Sequence, residues 1–118
     1  MLLDYAAVLF AVGALGGLLM ALRSFKAQPI PAPLAALHGV LVASGLVLLI
    51  VAALLGEASH TAIIALGALI VAAFGGFFLL SFHIRKQQHP RAVIVVHAVV
   101  AVAGFATLLV AILQSHPR

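Results

Sequence analysis

One numerical offset governs what this chain can fold into. Sliding residues 1–59 onto 60–118 superposes Gly16 on Gly75, Gly17 on Gly76, Gln28 on Gln87, Pro31 on Pro90, His38 on His97 and Gly45 on Gly104. With 66% of the chain apolar, matched Ala, Val and Leu carry little weight; the rarer residues hold one register without a gap. Such self-similarity fixes architecture ahead of local propensity. The repeated unit is two hydrophobic segments with one histidine in the second.

A mean hydropathy of +1.36 with 7% charged residues is membrane composition. Residues 5–22, 34–55, 61–82 and 92–113 form apolar runs near the ~20 residues that cross a ~30 Å hydrocarbon core. The fold class expected is all-α and integral to the membrane. It is an up-down-up-down bundle of four helices made by tandem duplication of a two-helix unit, units 1–59 and 60–118 forming one membrane domain. Two-helix units share an orientation, so the pseudo-two-fold axis runs along the membrane normal. Short connections make consecutive helices antiparallel neighbours.

The first run is read as a retained helix. A secretory signal carries its positive charge before the apolar stretch, whereas here Asp4 precedes it and Arg23 and Lys26 follow. Arg23 and Lys26 lie after the first span, and Arg85, Lys86 and Arg91 after the third. The other side holds Asp4, Glu57 and Arg118 as its one Lys or Arg. The positive-inside rule places the two basic loops in the cytoplasm and both termini outside, with a bacterial inner membrane as the expected location. The net charge of +4 is thus a topology signal and gives no support to nucleic-acid binding. With no cysteine, disulfides, thiolate metal sites and c-type haem attachment are excluded. With no Trp and one Tyr the interfacial aromatic belt is thin, as suits a lateral surface covered in part by another protein.

Pro29, Pro31 and Pro33 close the first basic loop and open the second helix; Pro90 opens the fourth, and Pro117 falls in the C-terminal tail. In a first turn the missing N–H costs nothing. Gly13, Gly16, Gly17, Gly67, Gly75 and Gly76 allow close approach, either of a neighbouring helix or of a flat ligand.

On the second and fourth helices Pro31, His38, Gly45, Ala52 and Pro90, His97, Gly104, Ala111 recur at heptad spacing, so each set forms one stripe. Leu49 and Leu108 flank it. His38 lies five residues past Pro33, about 7 Å into its helix at ~1.5 Å per residue, and His97 at a matching depth. Gly16 and Gly75 come out at the same level. An ionisable side chain at such depth is a functional hypothesis by default.

Three readings of the pair compete. Each imidazole bonds a backbone carbonyl or a hydroxyl of a neighbouring helix, with Ser44 and Thr107 among the hydroxyls. Alternatively the pair ligates a bare metal, which wants three or four ligands; His83 is the nearest addition, but its repeat partner is Ser24. In the third, His38 and His97 are the two axial ligands of a b-type haem. Gly16, Gly45, Gly75 and Gly104 then make room for the macrocycle, while Arg85 and Arg91, with the other basic residues, pair with its propionates. His60, His89 and His116 fall in loops or at termini, where solvation is expected, and His83 snorkels at the interface.

On Gly16, His38, Gly45 and Gly75, His97, Gly104 the chain resembles the four-helix membrane b-type cytochromes, which hold haem between histidines on paired helices. The resemblance implies haem b and electron transfer to or from quinone or a redox subunit of a larger membrane complex. Members commonly carry a second histidine set for a second haem; this chain has no second symmetric pair. Two alternatives stand beside it. One is a cofactor-free accessory subunit of a larger complex, and the glycine-rich faces also suit a homodimer. The other, more distant, is a small transporter. In length the chain is similar to the small multidrug resistance proteins, but it lacks their carboxylate inside the first helix. No hydrolase or nucleotide-binding motif is present, so enzymatic activity beyond redox chemistry has no support.

Overall fold

A computed structural model describes residues 1–116; Pro117 and Arg118, the tail proline and the terminal charge of the topology argument, lie outside the described residues. Among the described residues there are four helices: α1 (Leu2–Phe25), α2 (Ala32–Leu54), α3 (His60–Ile84) and α4 (Arg91–Ser115). All four are long and apolar enough to cross a membrane. They run a few residues beyond most of the expected bounds, so Asp4 falls in the first turn of α1 and His60 begins α3. At about 1.5 Å per residue, 23–25 residues reach roughly 35 Å, enough to span the hydrocarbon core.

Several backbone features of the first half recur 59 residues on. α1 ends with Ala27 at φ 53° and α3 with Lys86 at φ 55°, two positions 59 residues apart. The same cap bonds recur there: Gln28 N–H donates to Arg23 O at 2.8 Å, and Gln87 N–H to Phe82 O at 2.9 Å. This is the 6→1 bond of a Schellman closure, made here without glycine. α2 and α4 both start from a proline in extended conformation, Pro31 (φ −62°) and Pro90 (φ −63°). The turn between the halves uses Gly56 at φ 74°, and Ser59 caps α3 by accepting from Ala62 N–H at 3.2 Å.

Packing follows the repeat too. α1 lies chiefly on α2 and α3 on α4; the two hairpins meet more sparingly, α1 against α4 and α2 against α3. The core is built from matched positions: Ala6 and Ala65, Leu49 and Leu108 are fully buried, as are Ala52 and Ala111 to within 1%. These residues, with Phe10 and Leu69, sit in the half of the bundle that carries Asp4 and Glu57, hereafter the acidic end. Towards the basic end, where Arg23, Lys26, Arg85, Lys86 and Arg91 lie, the buried apolar side chains among the described residues reduce to Ala72 and Ile94. The bundle is tight at one end and loosely joined at the other. Outward faces are apolar, Phe74 at 70% and Phe77 at 67% exposure among them, as lipid contact requires.

Candidate functional site: the histidine layer

The two stripe histidines do the same thing in the two halves. His38 on α2 places Nδ1 2.7 Å from the carbonyl oxygen of Gly13 on α1; His97 on α4 places Nδ1 2.8 Å from that of Ala72 on α3. Gly13 and Ala72 are themselves 59 residues apart, so the bond is duplicated with the chain. A carbonyl can only accept, so Nδ1 carries the proton and donates, which leaves Nε2 of each ring as a lone-pair acceptor. Among the described residues nothing bonds either Nε2, and neither atom is sealed inside the protein.

The paired glycines explain how a ring reaches a helix carbonyl. In an α-helix the carbonyl of residue 13 points along the axis toward residue 17, and that of 72 toward 76. A group approaching from the side therefore lies over the residue one turn on. A Cβ on Gly17 would stand 2.9 Å from Cε1 of His38, and one on Gly76 would stand 3.2 Å from Cε1 of His97. Gly16 and Gly75 lie under the other end of the same side chains, where an added Cβ would stand 3.7 and 3.5 Å from the Cβ of His38 and of His97. Gly17 continues the buried stripe Leu3, Ala6, Phe10, Gly13 of α1, and Gly76 continues Ala62, Ala65, Leu69, Ala72 of α3. Each ring thus lies across the glycine pair of the partner helix in its own hairpin.

Other expected site residues go elsewhere. Gly45 faces the Phe10 ring, where a Cβ would come within 3.1 Å, and Gly104 faces Leu69 at 2.9 Å, so both serve helix packing in the tight half. Ser44 and Thr107 bond their own helices, Ser44 Oγ to Val40 O and Thr107 Oγ1 to Ala103 O, both at 2.7 Å. Hydroxyls returning to the i−4 carbonyl are the local alternative to an interhelical bond. Arg85 folds back on Ser81, its Nη2 3.3 Å from the hydroxyl, over the Phe82 ring. Arg91 crosses to α1, with Nη2 3.5 Å from Phe25 O. The carbonyl acceptors Gly13 and Ala72 carry no signal of their own in the sequence; Gly17 and Gly76, one turn further on, are the signal that points to them.

His83 and His89 face each other at the basic end with ring centroids 6.1 Å apart. Contrary to a freely solvated loop residue, His89 is half-buried, and burial together with His83 holds its pKa below the ordinary 6.5. No three His, Cys, Asp or Glu side chains converge as a metal-ligand set among the described residues. Beside His97 a groove of about 230 Å³ runs between α3 and α4, lined by Val71, Ala72, Gly75, Ala92, Val93, Val96 and Val100. His38 and its helices take no part in it.

Comparison with protein-family models, with curated proteins and with solved structures finds no match to this chain.

Proposed function

We propose that this integral membrane bundle binds one b-type haem, with His38 and His97 as its axial ligands, and carries electrons for a lipid-soluble quinone or a neighbouring redox subunit. The observation that carries the proposal is the duplicated Nδ1–H bond to a backbone carbonyl at 2.7 and 2.8 Å. Metal-ligating histidines are commonly held in this way, the far nitrogen bonded to a carbonyl so that the tautomer and ring orientation are fixed. Iron in a porphyrin needs two further donors, and this chain offers two equivalent lone pairs, one from each half. A bound haem supplies one-electron redox chemistry. The chain's part is to orient the imidazoles through Gly13 and Ala72 and to keep water away with apolar helix faces. Arg85 and Arg91 lie at the basic end, on the side where propionates would emerge.

The reading has a structural requirement. The groove at His97 lies within the α3–α4 hairpin, is too small for a porphyrin and excludes His38, so a haem held by both histidines would need space between the halves instead. Their sparing contact and the scarcity of buried side chains toward the basic end favour such an opening. Orientation follows the positive-inside rule: basic loops in the cytoplasm, bacterial inner membrane. In the test, His38→Ala and His97→Ala each abolish or shift the haem absorption of the purified protein. Unchanged spectra in both overturn the assignment.

A second reading is favoured by the fit of Gly17 and Gly76 to the rings themselves. The histidines are then helix clasps in a cofactor-free subunit of a larger membrane assembly or homodimer, their outer faces covered by neighbouring chains. Colourless protein that co-purifies with a defined larger complex is its expected result; monodisperse, haem-loaded monomer contradicts it.

A further inference from the structure

Two seams join the hairpins, α1 against α4 and α2 against α3, the second the sparser. The α1–α4 seam is held at both ends. At the acidic end Asp4 Oδ1, in the first turn of α1, stands 3.6 Å from Nε2 of His116, the residue that closes α4. At the basic end Arg91, the first residue of α4, docks on Phe25, the last of α1. Its guanidinium lies 5.8 Å from the centroid of the Phe25 ring, and Nη2 donates to the Phe25 carbonyl at 3.5 Å.

The α2–α3 seam is built differently. Its acidic end is tied by the short turn through Gly56. At its basic end the repeat partners of Phe25 and Arg91 are Ile84 and Ala32, which cannot make the same contact. Arg85, just past α3, turns back onto Ser81 of its own helix. Among the described residues no hydrogen bond or ion pair joins α2 to α3. Apolar packing thins out as well. Residues 32–44 of α2, a stretch that includes His38, contain no buried residue. Ile94 is buried in the first turn of α4, whereas its partner Ala35 in α2 is half-buried. The buried cluster shared by all four helices lies wholly in the acidic half.

In a membrane, packing and interhelical bonds hold helices together, so a bundle parts where both are scarce. Each hairpin, meanwhile, is fastened internally by its histidine–carbonyl bond. We infer that the hairpins move as two bodies and that the α2–α3 seam is a side gate. It opens as a wedge toward the basic end, while the Arg91–Phe25 latch keeps the α1–α4 seam closed. The gate connects the level of the histidine layer with the surrounding leaflet and admits an apolar molecule laterally, with no passage through water. That this molecule is haem rests on the proposed function; the gate itself follows from the inequality of the seams.

The experiment is distance measurement by double electron–electron resonance on the haem-free full chain in lipid nanodiscs. The chain has no cysteine, so label sites can be introduced in pairs. Lys26→Cys with Val95→Cys spans the α1–α4 seam at the basic end; Arg85→Cys with Ala36→Cys is the repeat-equivalent pair across α2–α3. All four positions are exposed. The α1–α4 pair is expected to give one narrow distance, and the α2–α3 pair a broader distribution extending to longer distances. Arg91→Gln should broaden the α1–α4 distribution. Ile84→Phe with Ala32→Arg installs the latch on the other seam and should narrow the α2–α3 distribution, a test that stands even if Arg91→Gln fails to fold. Equal widths for the two pairs overturn the inference, and so does an α1–α4 distance unmoved by Arg91→Gln. No haem is present in the measurement, so protein that never takes up haem can still show the gate. Haem-binding protein with a rigid α2–α3 pair would overturn the gate and leave the proposed function standing.

Discussion

Gly17 and His38 form a steric pair across α1 and α2: the ring's Cε1 occupies space that a methyl group on residue 17 would need, 2.9 Å away. Gly76 and His97 repeat the pair at 3.2 Å. In a membrane, where lipid tails are as apolar as the helices, close packing and interhelical bonds replace hydrophobic burial as the force that pairs helices. The glycine makes the bond reachable, and the bond holds the hairpin.

Gly17→Ala is therefore expected to destabilise the α1–α2 hairpin by about 1–3 kcal/mol, the usual cost of overpacking. Gly76→Ala should cost less, because the approach is looser. Unfolding of detergent-solubilised protein by denaturant measures both. Adding His38→Ala to Gly17→Ala should recover part of the loss; purely additive effects would show that the pair is not coupled.

His38→Ala and His97→Ala should each cost about 0.5–2 kcal/mol of bundle stability, the range for interhelical bonds in membranes. Because the two bonds are equivalent, their costs should agree closely in protein without cofactor. A strongly unequal pair of values would contradict the symmetry of the layer.

The halves differ where they trade volume. A Cβ on Gly13 would lie 2.6 Å from Val42, whereas the matching pair in the second half is Ala72 and Ala101. Gly13→Ala alone should destabilise by about 1–3 kcal/mol. The double variant Gly13→Ala, Val42→Ala rebuilds the second half's solution and should regain most of the difference, a coupling that a double-mutant cycle reads directly.

Ala27 and Lys86 hold the left-handed conformation that normally falls to glycine at a helix C-terminus. Ala27→Gly and Lys86→Gly should each stabilise by about 0.5–1 kcal/mol, relief of the strained φ exceeding the added freedom of the unfolded chain. Thermal unfolding in detergent checks this, and a loss of stability would contradict it.

His89 offers a pH test outside the spans. Its pKa is lowered in the folded state by burial and by His83, so the unfolded chain binds more protons once pH falls below about 6.5. Stability should then rise with pH through that window and fall on acidification. His89→Gln should flatten the dependence; an unchanged slope would place its origin elsewhere.

Much of the bundle was legible in the sequence because a membrane leaves few options: long apolar runs must be helices, and a gapless repeat must superpose. Leu49 with Leu108 and Ala52 with Ala111 behave as repeat partners should. The histidine layer was legible as a layer. Its acceptors were not, because a backbone carbonyl has no letter of its own, and Ser44 and Thr107 drew attention as the nearby side-chain alternatives. Gly45 and Gly104 illustrate a second limit. A glycine on a stripe signals close approach without naming what approaches, and here it is Phe10 and Leu69.

The most direct test of the account is the absorption spectrum of the full chain purified in mild detergent, recorded oxidised and after dithionite, with haem supplied during expression. The account predicts a sharp, reducible low-spin spectrum at one haem per chain that is lost in both His38→Ala and His97→Ala. Protein that takes up no haem under these conditions, or takes it up equally well without either histidine, contradicts it.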